Sequence, residues 1–197
     1  MNRRKALQKA GLVTGGVLTV PGLFSLLQSC QSEKATSWKP LFFTREEALF
    51  ISRLVDILLP RTATPGALDV NVDRFMDLVF AKTLSAPEQE QLRKELAVFN
   101  TSCKADFGDC FVNLSLEDQQ KVLTLAEQNA PTFNGSVWGT AVGKQKDVGF
   151  YRRTKAMAIW AYFSSEKIGK EVLAYDPIPG AFNGCLPLPE IGKRWTF

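Results

Sequence analysis

The chain contains no histidine. That removes a Ser-His or Cys-His couple, a histidine-held haem and most zinc sites. Cys-x-x-Cys is missing too, and with it the haem-attachment motif. No Gly-x-Gly-x-x-Gly follows a strand-like run and no Walker loop occurs, which argues against a nucleotide site. Paired carboxylates exist at Glu46-Glu47 and Glu117-Asp118. Both pairs fall where first helical turns are expected, and the helix dipole accounts for them there. The chain is therefore expected not to be a catalyst, and to hold no cofactor and no metal of its own.

Net charge is also scarce once it is located. Arg3, Arg4, Lys5 and Lys9 alone account for the formal +4 of the whole chain, and residues 1–29 carry no acid. The remainder of the chain is close to neutral, with no basic run along a helix, so nucleic acid is not an expected partner. The basic start has its own meaning. Arg3-Arg4 precedes an uncharged, mildly apolar stretch broken by Gly11, Gly15, Gly16, Pro21 and Gly22. Those breakers disfavour a stable membrane span. The pattern predicts a twin-arginine export signal over 1–29, the route that carries folded proteins. Ala6 stands where that pattern usually has Phe. Leu27-Gln28-Ser29-Cys30 reads as a lipobox, which predicts lipidation of Cys30 and a polar tether over 30–42. The expected location is the periplasmic side of a bacterial membrane, held by a lipid anchor.

Residues 43–197 are long enough for one domain with its own core. No run alternates convincingly with period two, so the expected class is all-α: five or six helices and an extended tail rich in Pro and Gly. Thr44-Arg45-Glu46-Glu47 is a capping box, and Phe50, Ile51, Leu54, Val55 and Leu58 come after it at helical spacing up to Pro60. Asp56, late in that helix, needs a partner such as Arg53. Pro65-Gly66 predicts a type II turn. A second helix from about Asn71 is expected to bury Val72, Phe75, Met76 and Val79. A third begins at Ser85-Ala86-Pro87-Glu88 and carries Leu92, Leu96 and Phe99. Cys103 to Cys110 reads as a polar break. Ser115 caps a fourth helix bearing Leu116, Val122, Leu123 and Ala126. Asn129 to Val148 reads as a long loop around Trp138. Gly149 to Phe163 is the most aromatic helix.

Beyond it, Ser164 or Ser165 caps a short helix with Glu166 in its first turn. The chain then stiffens through Asp176-Pro177-Ile178-Pro179-Gly180, where two prolines exclude both helix and central strand. Tyr175, Pro177, Ile178, Pro179, Gly180 and Phe182 form a rigid ribbon suited to docking, either on a partner or on the chain's own core. Four cysteines complete the inventory. With Cys30 lipidated, Cys103, Cys110 and Cys185 remain, and any two of them can pair. The odd one is then a free thiol or a bridge to another chain.

Two groups of residues resemble a known family, the small subunit (subunit 3) of gluconate 2-dehydrogenase and related membrane-bound sugar dehydrogenases. The front group is Thr44-x-x-Glu47, Leu54-Val55-Asp56-x-Leu58-x-Pro60, Pro65-Gly66-Ala67 and Val72-x-x-Phe75. The rear group is Tyr162-Phe163-Ser164-Ser165-Glu166-x-x-Gly169 and Leu173-x-Tyr175-Asp176-Pro177-x-Pro179-Gly180. The resemblance spans roughly Phe43 to Cys185. It implies a non-catalytic small subunit that helps a larger one to fold and carries it through the twin-arginine pore. It implies FAD in that large subunit, a glucose-methanol-choline type flavoprotein, and a cytochrome c subunit as electron acceptor. The competing reading is a standalone periplasmic lipoprotein that scaffolds an envelope complex or binds a small ligand. A pocket of Trp138, Tyr151 and Trp160 would be its site, although such aromatics at helical spacing more often build a core.

Overall fold

A computed structural model describes residues 38–132, 136–137, 140–141, 147–176, 180 and 185–196. By internal contacts the chain divides into Met1–Ala35 and Thr36–Phe197, and all described residues belong to the second unit. Arg3, Arg4 and Cys30 lie outside them. The described part is all-α, as the periodicity implies.

Helix α1 runs Arg45–Leu58. It starts where Thr44 Oγ1 accepts from the Glu47 amide (3.2 Å) and Glu47 Oε2 accepts from the Thr44 amide (2.8 Å), the reciprocal box expected. Ala48, Phe50, Ile51, Leu54 and Val55 form its buried stripe. Asp56 does meet Arg53, at 3.7 Å and half exposed, a contact worth little in water.

The loop to α2 (Val72–Thr83) holds two findings. Asn71 adopts a left-handed conformation, φ 56°, which Asn tolerates better than most residues. Gly66 is required for a different reason from the one expected. Its φ is not in the left-handed region; instead a Cβ there would lie 2.6 Å from the Arg61 amide nitrogen. Close backbone approach, not turn type, demands the glycine.

Helix α3 spans Ala86–Phe107. Glu88 accepts from both the Ser85 amide (2.8 Å) and the Ser85 hydroxyl (2.6 Å). The polar break expected at Cys103 is not there: Cys103 is inside the helix and buried. The helix stops only at Gly108, φ 87°, whose N–H returns to the Lys104 carbonyl at 3.1 Å, a left-handed cap that glycine adopts cheaply. A 3₁₀ turn at Phe111–Asn113 leads to α4, Leu116–Asn129, capped by Ser115 as expected. In the next loop Ser136–Val137 (β1) pairs antiparallel with Thr140–Ala141 (β2). Trp138 lies outside the described residues.

Helix α5, Gly149–Phe163, packs against α1, α2, α3 and α4. Phe50, Phe99, Phe111 and Phe150 interlock at its base with ring centroids 5.0–6.2 Å apart, tilted or edge-on, as aromatic quadrupoles prefer. A second cluster joins Phe42, Phe43 and Phe80 at 4.8–6.2 Å. The short helix expected after Ser165 is present, but Ile168–Val172 is π-helical. Leu173 N–H reaches back five residues to the Ile168 carbonyl at 3.0 Å. Ser165 does not cap with its side chain: its hydroxyl donates to the Tyr162 carbonyl at 2.7 Å. A last turn, α6, covers Leu188–Ile191.

Candidate functional site

The front and rear motifs meet in space. Tyr162 Oη donates to the Pro65 carbonyl at 2.7 Å, across 97 positions of sequence. The loop it touches is closed internally. Asp69 accepts from the Gly66 amide (2.8 Å) and from Arg61 Nε (2.7 Å), with a second contact to Arg61 Nη2. Ala67 is fully buried, and its N–H bonds the Leu59 carbonyl at 2.8 Å. Arg61, Gly66, Ala67 and Tyr162 thus act as one lock joining the end of α1 to the end of α5.

The rear motif then closes on the C-terminal segment. Ala174 N–H donates to the Arg194 carbonyl (2.8 Å), and Thr196 N–H donates to the Ala174 carbonyl (2.9 Å). Thr196 Oγ1 would stand 3.0 Å from a Cβ on Gly169, so the segment lies tight against the π turn. Residues 174 and 195 are therefore clamped side by side, which pins both ends of the intervening stretch of sequence. The expected docking ribbon falls within that stretch of sequence. Tyr175 is 48 % exposed and Gly180 is exposed; Pro177, Ile178, Pro179 and Phe182 lie outside the described residues. Tyr175 also lines a 240 Å³ cleft with Phe163, Ser165, Glu166 and Lys170. Glu166 and Lys170 pair at 2.6 Å. The hydrogen bond from Lys170 holds the Glu166 carboxyl below its usual range, and Glu166 in turn raises Lys170.

Two larger apolar clefts flank α5. One, of about 610 Å³, lies between α2, α3 and α5 and includes Phe80, Leu84, Leu92, Met157 and Trp160. The other, of about 500 Å³, lies between α3, α4 and α5. Tyr151 lines the second and Trp160 the first, so these two do not share the pocket the sequence allowed. Trp160, 54 % exposed, meets Phe75 in a tilted ring pair with centroids 5.5 Å apart. Phe75, expected in the core, is on the surface instead.

Cys103 and Cys110 are thiols in the structure, and the bridge the sequence allowed between them is not formed. Burial, then the charge of Asp106, pushes the Cys103 thiol up to about 11, which makes it a poor nucleophile at neutral pH. Cys185 is exposed. Burial, then Glu127, pushes the Tyr151 phenol up to about 12. Among the described residues no group of three or more Cys, Asp and Glu is placed to hold a metal ion, and no helix is long and apolar enough to cross a membrane.

Sequence reasoning missed the buried polar residues. Asp77, 1 % exposed, accepts from three successive amides: Leu41 (2.7 Å), Phe42 (3.0 Å) and Phe43 (2.9 Å). Arg93 holds the same segment from the other side, donating to the Phe42 carbonyl and to Glu47 while lying 4.6 Å over the Phe42 ring. Asp73 accepts from Ser52 Oγ at 2.6 Å. Gln119, wholly buried, donates to the Phe111 carbonyl (2.8 Å) and accepts from Arg53 (2.9 Å). The available signal was the spacing: Asp73 and Asp77 sit one turn apart, beside the apolar Val72 and Met76.

No curated protein and no solved structure matches this chain. The family model of gluconate 2-dehydrogenase subunit 3 matches residues 45–180, well over half of the sequence and both joined motifs. That family takes its name from one subunit of a multi-subunit dehydrogenase, which implies a dehydrogenase partner. The chain belongs to the gluconate 2-dehydrogenase subunit 3 family.

Proposed function

We propose that this chain is the non-catalytic small subunit of a periplasmic, membrane-associated sugar or sugar-acid dehydrogenase. Its partner is an FAD-dependent flavoprotein of the glucose-methanol-choline type, with a cytochrome c subunit accepting the electrons. The chain assists folding of the flavoprotein and carries it through the twin-arginine pore on the signal begun by Arg3 and Arg4. Cys30 is lipidated and holds the complex to the membrane. Tyr175, Pro177, Ile178, Pro179, Gly180 and Phe182 dock the partner.

The observation that best supports this reading is the clamp at both ends of the segment that carries the ribbon. Its ends are fixed at Ala174 and Trp195, and Tyr175 leaves the clamp exposed. Holding the ends of a recognition segment lowers the entropy lost when it binds. The elevated Cys103 thiol and the absence of histidine are in keeping with a supporting rather than a chemical role. An export signal on one chain can serve two only if they associate beforehand, so the interface should be large and of the obligate kind.

The test is purification of the tagged protein from detergent-solubilised native membranes, then a gel and a visible spectrum. A second, larger band with flavin absorption is expected, and its sugar specificity can then be screened. A single colourless band, unchanged by mild crosslinking before lysis, overturns the proposal.

A further inference from the structure

The cleft between α2, α3 and α5 contains an anomaly. Three threonines on described helices, Thr83, Thr101 and Thr124, each donate to the carbonyl four residues earlier, at 2.7–2.8 Å. That is the ordinary way for a helical hydroxyl to be satisfied. Thr154, on α5, makes no such bond. It is 1 % exposed, it lines the cleft, and its Oγ1 has no hydrogen-bond partner. A buried polar group left unpaired is rare enough to need an explanation.

The surroundings restrict what can supply the partner. At about 610 Å³ the cleft is of small-molecule size, and its lining is mainly apolar. Only two ionisable side chains, Glu88 and Arg153, line it. Arg153 is matched by Glu95 and the Glu88 carboxylate is engaged by the Ser85 cap, so the mainly apolar lining suits an uncharged occupant. Phe80 and Trp160 present ring surface, and Trp160 is braced by Phe75, which suits an aromatic or otherwise flat group. Met157, unbranched and deformable, is the lining side chain best able to shift and admit a ligand to the hydroxyl. Thr154 Oγ1 has no partner at all, and a carbonyl oxygen, which carries lone pairs but no hydrogen, is a group that would satisfy its donor in an otherwise apolar site.

We propose that this cleft is a binding site for an uncharged, ring-bearing carbonyl compound, with Thr154 Oγ1 donating to the carbonyl oxygen and Trp160 covering the ring at the mouth. Binding is non-covalent. None of the residues lining the cleft falls between 174 and 195, and the site does not depend on the subunit role.

The test titrates Prodan, a neutral naphthyl ketone whose emission reports its surroundings, into the purified full chain. Saturable binding with blue-shifted emission and energy transfer from tryptophan is expected. Thr154→Val keeps the volume and removes the donor. It should weaken binding by about fivefold, the effect of one neutral hydrogen bond, while melting no lower than the parent protein. Thr154→Ser should bind nearly as well as the parent. Ala156→Phe fills the cleft and should abolish binding, whereas Ala126→Phe fills the other apolar cleft and should leave it unchanged. Equal or tighter binding by Thr154→Val overturns the proposal. So does binding that survives Ala156→Phe or is lost in Ala126→Phe, and so does the absence of saturable binding by the parent chain.

Discussion

Replacing Asp77 by Ala is expected to be among the most damaging single changes in the molecule, although nothing about α2 in isolation suggests it. The carboxylate is 1 % exposed and takes three amide hydrogen bonds, from Leu41, Phe42 and Phe43. Hydrogen bonds to a charged group contribute about 1.5–3 kcal/mol each, but the three cannot simply be added. Leu41 is well exposed, so water can take over its amide. Phe42 and Phe43 are buried, so their amides lose their acceptor outright. Removal of Asp77 also relieves the desolvation of a carboxylate. The net expectation is a loss of about 2–5 kcal/mol, since each of the two buried amides left without an acceptor costs about 1–3 kcal/mol. Against a total stability of roughly 5–15 kcal/mol, that is a large share. Asp77→Asn should lose less, about 2 kcal/mol, because one oxygen still accepts while the new NH₂ faces donors. Urea unfolding monitored by circular dichroism gives the loss. Hydrogen exchange at residues 41–43 gives its location, since those amides should be protected in the parent and fast in Asp77→Ala. A loss below about 1 kcal/mol, or unchanged protection at all three amides, would refute the clamp as a stabilising device.

Three further outcomes are expected from the same structure. Tyr162→Phe removes the bond to the Pro65 carbonyl that joins the two family motifs; a loss of about 1 kcal/mol is expected in thermal unfolding, and no change would mean that the bond is replaced by water. Gly66→Ala forces a Cβ to within 2.6 Å of the Arg61 amide and should cost about 1–3 kcal/mol, whereas a neutral or stabilising result would mean that the loop shifts freely. Cys103, an acid whose folded value is raised from 9.0 to about 11, is protonated in the folded state when the unfolded chain has already lost the proton. Its contribution to stability is therefore full below pH 9 and declines as pH rises from about 9 towards about 11. Cys103→Ala should flatten that part of the pH–stability curve, and the native thiol should resist iodoacetamide at pH 7.5; rapid labelling of the folded protein would contradict the burial.

The caps show why much of this fold is legible in its sequence. Thr44 with Glu47, Ser85 with Glu88, and Ser115 act within four residues, so local chemistry decides them. The third helix is less legible because Lys104 and Asp106 look like a break, yet both are compatible with a helix; only Gly108, φ 87°, ends it. For the second helix, periodicity turns Val72 and Met76 inward as found but wrongly sets Phe75 beside them. Its aspartates find partners more than twenty or thirty positions away, in Ser52 and in the 41–43 amides, and no window on α2 contains them. That pairing draws Asp73 and Asp77 into the interior and leaves Phe75 outside against Trp160. The motif residues are recognisable singly, but their union through Tyr162 and Pro65 is a tertiary fact. Glycine at 66 signals turn chemistry in the sequence, while its use depends on where the Pro60–Arg61 backbone passes.

The Asp77 clamp also has a mechanical side. Three bonds from successive amides converge on one carboxylate, and Arg93 grips the Phe42 carbonyl from the opposite direction. A pull applied to the chain ahead of Trp38 meets these contacts before it meets the capping box at Thr44. The load passes into α2 through Asp77 and into α3 through Arg93, so the front of the domain is moored to two helices besides the one that follows it in sequence.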